Sequence, residues 1–320
     1  VLKTIDETKR DIAAGRRLFL AGDEAALAQL PAGDWIGGTI PYFMDDSGGV
    51  VDRTRVFAAE VPAEVDAVKV VAYDAATLPS IATDAYENGF TVLIIPASTD
   101  VHVRYAQDAP GYPELFLKPI VGWISGVHLG DLGKVAPKVF DGRRRTSYAD
   151  RAIAMHCRLK AGRIARIGIV NLFKPGSGDV IAFPAEGFVV KDCLVNRKTV
   201  NFADYLREKQ IDTKLPLVAN YSGMMVNVSF QEVRAKEVAL YAPVFKGVAY
   251  SIADPVADYV KEFAAALPKS LSPAFSCNCI LNFLYSDLEG KKTGAITGPI
   301  TFGEIAYQLL NQTLVYLEIE

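Results

Sequence analysis

Near the carboxyl end of the chain, the stretch TGAITGPITFGEIAYQLLNQTLVYLEI (Thr293 to Ile319) sets glycines, one acid and an Asn-Gln-Thr triplet between two apolar, strand-like runs. Thr301 offers a hydroxyl, Phe302 an aromatic wall and Glu304 a carboxylate able to accept hydrogen bonds from a ligand amine or from backbone N–H groups. The plainer reading of Glu304 is an acid at a helix start, favoured by the positive end of the helix dipole. In either case a partly buried carboxylate needs a partner. Asn311 and Gln312 read equally as turn-forming amides and as ligand contacts. A second glycine-bearing bend, with Gly37, Gly38, Thr39 and Tyr42, lies near the amino end.

The cysteines offer less. A strand from Phe275 to Leu284 would put Phe275, Cys277, Cys279, Leu281 and Phe283 on one face and Ser276, Asn278, Ile280, Asn282 and Leu284 on the other. Thiols on an apolar face behave as small hydrophobes with raised pKa values, so neither Cys277 nor Cys279 reads as a nucleophile. The amide face, led by Asn278, is the one to line a polar cavity or to meet solvent. Cys-x-Cys is tighter than zinc spacing, Cys157 and Cys193 are distant, and the imidazoles are only His102, His128 and His156, so no metal site is expected. Strand alternation places His156 toward solvent. His128, flanked by glycines, is a loop histidine or a pocket wall.

No nucleophile elbow, phosphate loop or dinucleotide fingerprint occurs. Arg143, Arg144 and Arg145 follow Asp141-Gly142 and read as a solvated turn, because no basic stripe or interleaved aromatics extend them. With 34 Lys plus Arg against 37 Asp plus Glu, no global field draws nucleic acid or an anionic membrane. No apolar run reaches the ~20 residues of a spanning helix. The charged start VLKTIDETKRDIAAG lacks a signal-peptide core, so the chain reads as cytoplasmic, although it begins at Val1 and a removed presequence remains open. Four cysteines in 320 residues favour reduced thiols.

Helix and strand signals alternate, giving a mixed α/β (α+β) expectation. One helix is read from Asp254 as N-cap with Pro255 at the first helical position, its apolar face running through Val256, Tyr259, Val260, Phe263, Ala264 and Leu267. Another is read over Leu78 to Asn88, stopped by Gly89 and followed by a strand over Thr91 to Pro96, and a third near Phe202 to Lys209. Arg151 to Phe173 reads as a hairpin turning at Ala161-Gly162. Lys174 to Asp179, punctuated by Pro and glycines, is the expected lobe border. Trp35 and Trp123 are read as core or as cleft walls.

WIGGTIPYF (Trp35 to Phe43) and AITGPITFG (Ala295 to Gly303) form a weak internal repeat that aligns Gly38 with Gly298, Ile40 with Ile300 and Tyr42 with Phe302. It predicts two similar, intimately packed, sheet-containing lobes with a cleft between them, where pockets tend to form.

The Gly298, Thr301, Phe302, Gly303, Glu304 spacing resembles the C-terminal signature of the FIST (F-box and intracellular signal transduction) sensory domains. Phe275-Ser276-Cys277 precedes it and Asn311-Gln312-Thr313 enters the last strand. IGGTIPYF occupies the place of the family's amino-terminal Gly-rich strand end without its usual Ser-Thr and Gly-Glu pairs, and NFADYLREK (Asn201 to Lys209) is similar to the segment opening its second half. The resemblance implies an N-like lobe over 1–176 and a C-like lobe over 177–320. It also implies a cytoplasmic sensor of small ligands, amino acids foremost, with signalling through a separate partner protein. Some family members bind haem, for which His128 would be an axial ligand; no cofactor is expected here. Gly37, Gly38, Thr39 and Tyr42 from one lobe, with Asn278, Thr301, Phe302 and Glu304 from the other, form the expected ligand site. The alternatives are a hydrolase or transferase using a cysteine or acid in the same cleft, and a protein interaction scaffold.

Overall fold

The computed structural model describes residues 1–221, 223–268 and 271–320. The fold is mixed α/β and mostly sheet. Short strands alternate with helices fixed by local capping: Thr4 accepts from Glu7 N–H while the Glu7 carboxylate accepts from Thr4 N–H, a reciprocal cap that starts helix Ile5–Ala13. Thr99 caps helix Asp100–Asp108 in one direction only, its hydroxyl accepting from His102 N–H. Among the described residues no helix is long and apolar enough to cross a membrane.

One connectivity recurs three times along the chain. In the first unit Leu2–Lys3 and Leu18–Gly22 both pair antiparallel with Val56–Glu60, and Leu18–Gly22 pairs parallel with Trp35–Thr39. The second unit repeats this with Val65–Tyr73, Gly89–Pro96, Ile120–Ser125 and Ala152–Leu159. The third uses Ala165–Val170, Phe275–Cys279, Gly298–Thr301 and Leu314–Ile319. After its parallel pair, each unit sends a hairpin onto the next sheet. Tyr42–Asp45 pairs with Gly298–Thr301, Val139–Asp141 with Trp35–Thr39, and Glu304–Ala306 with Ile120–Ser125. The exchange closes a ring of three six-stranded sheets, whose facing sides share one core that includes Ile36, Ile94, Trp123, Phe275, Cys277 and Ile300.

Glycines permit the close packing inside this ring. A Cβ on Gly38 would lie 2.6 Å from Ile94 Cγ2 and 2.9 Å from Trp123 Nε1, and one on Gly122 would meet the Leu93 carbonyl oxygen at 1.8 Å. Only hydrogen fits at either place.

The third unit carries an insertion between its first two strands. Lys174 O accepts from Asp254 N–H and Ile252 O from Gly176 N–H, which ties the two ends of the insertion together. Inside it are a six-stranded sheet and a three-stranded sheet of Gly187–Val190, Val238–Val244 and Phe230–Val233. Amides staple it to the ring. Ser229 Oγ donates to Gln312 Oε1 at 2.7 Å, and Asn227 Nδ2 donates to Asn311 O at 3.0 Å.

Several expectations are revised by this geometry. Sheets combine strands from both sides of residue 176, so the ring has three interlocked units rather than two lobes, and Lys174 to Asp179 marks the entrance to the insertion. The internal repeat is two residues out of register. Hairpin strands begin at Tyr42 and Glu304, three residues after Thr39 and Thr301, so Thr39 corresponds to Thr301 and Tyr42 to Glu304. Strands Ala152–Leu159 and Ala165–Val170 are real but belong to different sheets, so the expected hairpin does not form. The strand from Phe275 stops at Cys279 and helix Ile280–Tyr285 follows. The helix expected from Asp254 is Tyr259–Ala266 with Asp258 as N-cap, because Asp254 is held in the closure of the insertion. Leu78–Ser80 forms only a 3-10 turn. Ser80 Oγ and Thr83 Oγ1 donate back to Thr77 O and Ser80 O, competing with a continuing helix. Gly89 starts a strand instead of capping a helix.

His156 is buried rather than solvent-facing. Its Nδ1 lies 2.8 Å from Thr91 Oγ1 and its Nε2 2.9 Å from Tyr73 OH, which in turn donates to Asp84. Burial, with Lys69 adding, pushes its pKa down to about 4, so it serves the core as a neutral, fully paired imidazole.

Candidate functional site

The carboxyl ends of the parallel strands of the second and third units meet at one rim, the place where open α/β sheets commonly bind ligands. Ala97 and Ser98 follow Gly89–Pro96, Leu129 and Leu132 follow Ile120–Ser125, Phe302 follows Gly298–Thr301, and helix Ile280–Tyr285 follows Phe275–Cys279. Over this rim lies the three-stranded sheet of the insertion, and between them is a cavity of about 260 Å³. Its floor holds Ser98, His102, Leu281 and Phe302; its roof holds Phe188, Gln231, Leu240 and Tyr241.

The roof strands lose their regular register at the cavity. Pairing of Gly187–Val190 with Val238–Val244 shifts between Gly187 and Val189, leaving Phe188 in the irregularity; pairing of Phe230–Val233 shifts between Phe230 and Glu232, leaving Gln231 unpaired. Such bulges re-aim side chains and recur beside sites. A second, more open cavity of about 570 Å³ adjoins the first through Ala97, Ser98, Leu132 and Phe302 and includes Lys134. Apolar side chains are exposed at the mouth, Leu132 at 52%, Val189 at 50% and Leu284 at 38%, beside the exposed Gln231 and Arg234. An open trough of about 890 Å³ lies at the opposite, amino-terminal ends of strands Leu18–Gly22 and Phe275–Cys279. Its wall is polar, and Arg16 and Glu60 pair there at 3.1 Å, so it lacks an apolar chamber.

Polar groups at the cavity are few. Ser98 holds a left-handed backbone, φ 61°, and its N–H donates to His102 Nδ1 at 3.2 Å. That bond puts the ring proton on Nε2, which is shielded from solvent and has no partner among the described residues. Burial pushes the His102 pKa down to about 4, so the ring is neutral at physiological pH. Phe188 meets it edge-on at 6.1 Å. Arg234 lines the roof, and its guanidinium bonds Glu232 and Glu237 at 2.7 and 2.8 Å. Among the described residues no carboxylate lines either cavity.

Of the residues expected from sequence, Phe302 alone faces this space. It stands on Gly126, where a Cβ would meet the ring at 2.4 Å, and it borders both cavities. Tyr42 is buried beneath the rim: its hydroxyl accepts from Leu129 N–H at 3.0 Å and its ring stacks on His128 at 5.8 Å. Thr39 bonds the Lys138 backbone and borders only a crevice of about 30 Å³, shared with His128. Gly37 and Gly38 are packed inside the sheet layer. Asn278 is buried, accepting from Cys279 N–H and Asn282 Nδ2 at 2.8 and 2.9 Å at the strand-to-helix junction. Thr301 donates within the layer, to the Asn278 or Gly303 carbonyl.

Glu304 is neither a helix-start acid nor a cavity residue. It lies in strand Glu304–Ala306 opposite Trp123 and is fully buried. Oε2 accepts from Thr313 Oγ1 and N–H at 2.8 and 3.2 Å, while Oε1 has no partner. Burial pushes its pKa up to about 8 against the Thr313 bonds, which pull it down. Trp123 Nε1 and Ser125 Oγ are likewise buried without partners. All four cysteines are free and buried. Burial raises Cys277 and Cys279 far above the ordinary thiol range, with Glu304 adding to the effect, so neither is activated. Among the described residues no three His, Cys, Asp or Glu side chains converge as a metal site would need.

The cavity residues Ser98, His102, Phe188, Gln231 and Tyr241 escaped sequence reasoning. The one local signal was Ser98-Thr99-Asp100, a cap directly after an apolar strand; the roof residues carry none, because register shifts depend on strand partners.

Fold and site define a ring of three interlocked sheet units roofed by an inserted sheet over an apolar cavity. The chain belongs to the family of unknown function DUF6976, whose model matches residues 3–320. No curated protein and no solved structure matches it.

Proposed function

We propose that the protein is a small-molecule-binding module that holds its ligand in the cavity between the ring and the inserted three-stranded sheet. The observation that carries this is the convergence of an apolar chamber, irregular roof strands and an unpaired imidazole N–H at the carboxyl ends of the strands. The cysteines, sealed and far from ionisation, argue against the hydrolase or transferase alternative. An interaction scaffold would carry an exposed apolar patch with no enclosed cavity, whereas here the exposed Leu132, Val189 and Leu284 surround a chamber. The FIST resemblance agrees with a sensory role, in the cytoplasm, with the signal passed to a separate protein through a change in how the roof sits on the rim. That resemblance supports the class of function only.

The test is a thermal-shift screen over amino acids, small aromatic and branched acids, amides, amines and haem. A ligand at 100 times its dissociation constant stabilises the folded state by about 2.7 kcal/mol. Val189→Trp, placed on the exposed rim of the roof, is expected to fill the mouth and weaken any such ligand at least tenfold while leaving the unliganded melting temperature nearly unchanged. Equal affinity in the variant would remove the cavity from the account.

A further inference from the structure

Resting on that reading, we infer that the ligand is an apolar molecule, aromatic or branched, whose polar end is a hydrogen-bond acceptor such as a carboxylate or amide carbonyl, received by His102 Nε2–H. Three independent features select this class. The tautomer of His102 is fixed from the backbone: Ser98 N–H occupies Nδ1, so Nε2 can only donate, and it now has nothing to donate to. A buried donor without an acceptor is a standing cost that an incoming acceptor removes. The body of the chamber, built from Leu240, Leu281 and Phe302, matches an apolar skeleton.

The third feature is exclusion. Among the described residues no carboxylate lines the chamber or the adjoining groove, and Glu232 and Glu237 of the roof strands and their turn are engaged by Arg234. A ligand ammonium would therefore lose its hydration with no anion to replace it. This turns the ligand preference away from the amine that Glu304 suggested from the sequence, since Glu304 lies outside the chamber wall. Phe188 provides the entry. Its edge covers the His102 ring from an irregular point in its strand, and the ring moves aside as the acceptor reaches Nε2.

Isothermal titration with three probes of one skeleton tests the inference: 3-phenylpropionate, 3-phenylpropionamide and 3-phenylpropylamine. The native protein is expected to bind the acid and the amide at least tenfold more tightly than the amine. His102→Asn, which keeps an acceptor for Ser98 N–H and deletes the outer donor, is expected to lose at least tenfold for acid and amide and nothing for the amine. His102→Gln, whose amide nitrogen approaches the Nε2 position, is expected to restore most of that loss. An amine bound as tightly as the acid and amide overturns the acceptor-ligand inference and leaves the cavity reading standing. Failure of all three probes, or unchanged affinity of all three in Val189→Trp, overturns the cavity reading itself. The comparison of probes in the native protein needs no variant to fold.

Discussion

Glu304→Gln is expected to make the protein more stable than the native chain at neutral and alkaline pH, by a margin that grows with pH. Burial raises the folded-state pKa of Glu304 from 4.5 to about 8, so between those values the folded chain keeps a proton that the unfolded chain has released. Stability from the neutral carboxyl is complete below about pH 4.5 and is lost as pH rises through about 8. At ~1.4 kcal/mol per pH unit, the loss is about 2 kcal/mol by pH 6 and about 5 kcal/mol above pH 8. Glutamine imitates the protonated acid: its oxygen accepts from Thr313 and its NH2 takes the place of the unpaired Oε1. Urea denaturation of both proteins at several pH values between 4 and 9 measures the difference. A difference constant over that range would show that Glu304 titrates in the fold as it does in the unfolded chain. Ligand affinity is expected to be the same in both proteins, because this acid does not line the chamber.

Gly122→Ala is expected to prevent normal folding. Gly122 pairs with Leu93 in the parallel strands of the second unit, and a methyl there would fall 1.8 Å from the Leu93 carbonyl oxygen and 2.7 Å from its carbon. Backbone on a central strand pair has no rotamer with which to yield, so the strands must separate. The Gly122 carbonyl also accepts from the Cys277 thiol of the neighbouring sheet, which ties the damage to the shared core. A loss above about 4 kcal/mol is expected, at the extreme of single substitutions. Gly111→Ala is the control: a Cβ there meets nothing within 4 Å, and its stability is expected to be unchanged or slightly raised. Soluble yield and the chemical denaturation midpoint of both variants check this, and a Gly122→Ala protein as stable as the control would refute the close strand approach.

The sequence carried local chemistry well and partners poorly. Strand character over Thr91 to Pro96 and from Thr313 onward is set by β-branched and aromatic runs, and the structure has strands Gly89–Pro96 and Leu314–Ile319 there. The helix near Phe202 is present because Asn201 caps it by accepting from Asp204 N–H at 3.2 Å. Trp35 and Trp123 are core, as their apolar surroundings suggested. Pairing was another matter. Ala152–Leu159 and Ala165–Val170 look like neighbours across a glycine turn, yet the first lies between Val65–Tyr73 and Gly89–Pro96 and the second pairs with Leu314–Ile319. His156 shows the same limit, since alternation assigns faces but not whether the second face is covered. The Gly38–Gly298 match that marked the repeat is not structural: Gly38 makes room for Ile94 and Trp123 of another sheet and Gly298 for the Ser276 backbone of its own, and the equivalent of Gly38 is Ile300. The middle copy was hidden because the loop after Ile120–Ser125 is far longer than its two counterparts. The site was the least legible part. Its floor comes from the ends of four strands and its roof from bulges in an insertion, so no short motif contains it.

A crystal structure grown with the tightest-binding member of the small acid and amide set tests the central claim most directly. The ligand is expected between Phe302 and Leu240, its polar end on His102 Nε2 and the Phe188 ring displaced. Density for it anywhere else, with Phe188 unmoved and the roof sheet packed down onto Leu281, would contradict the account.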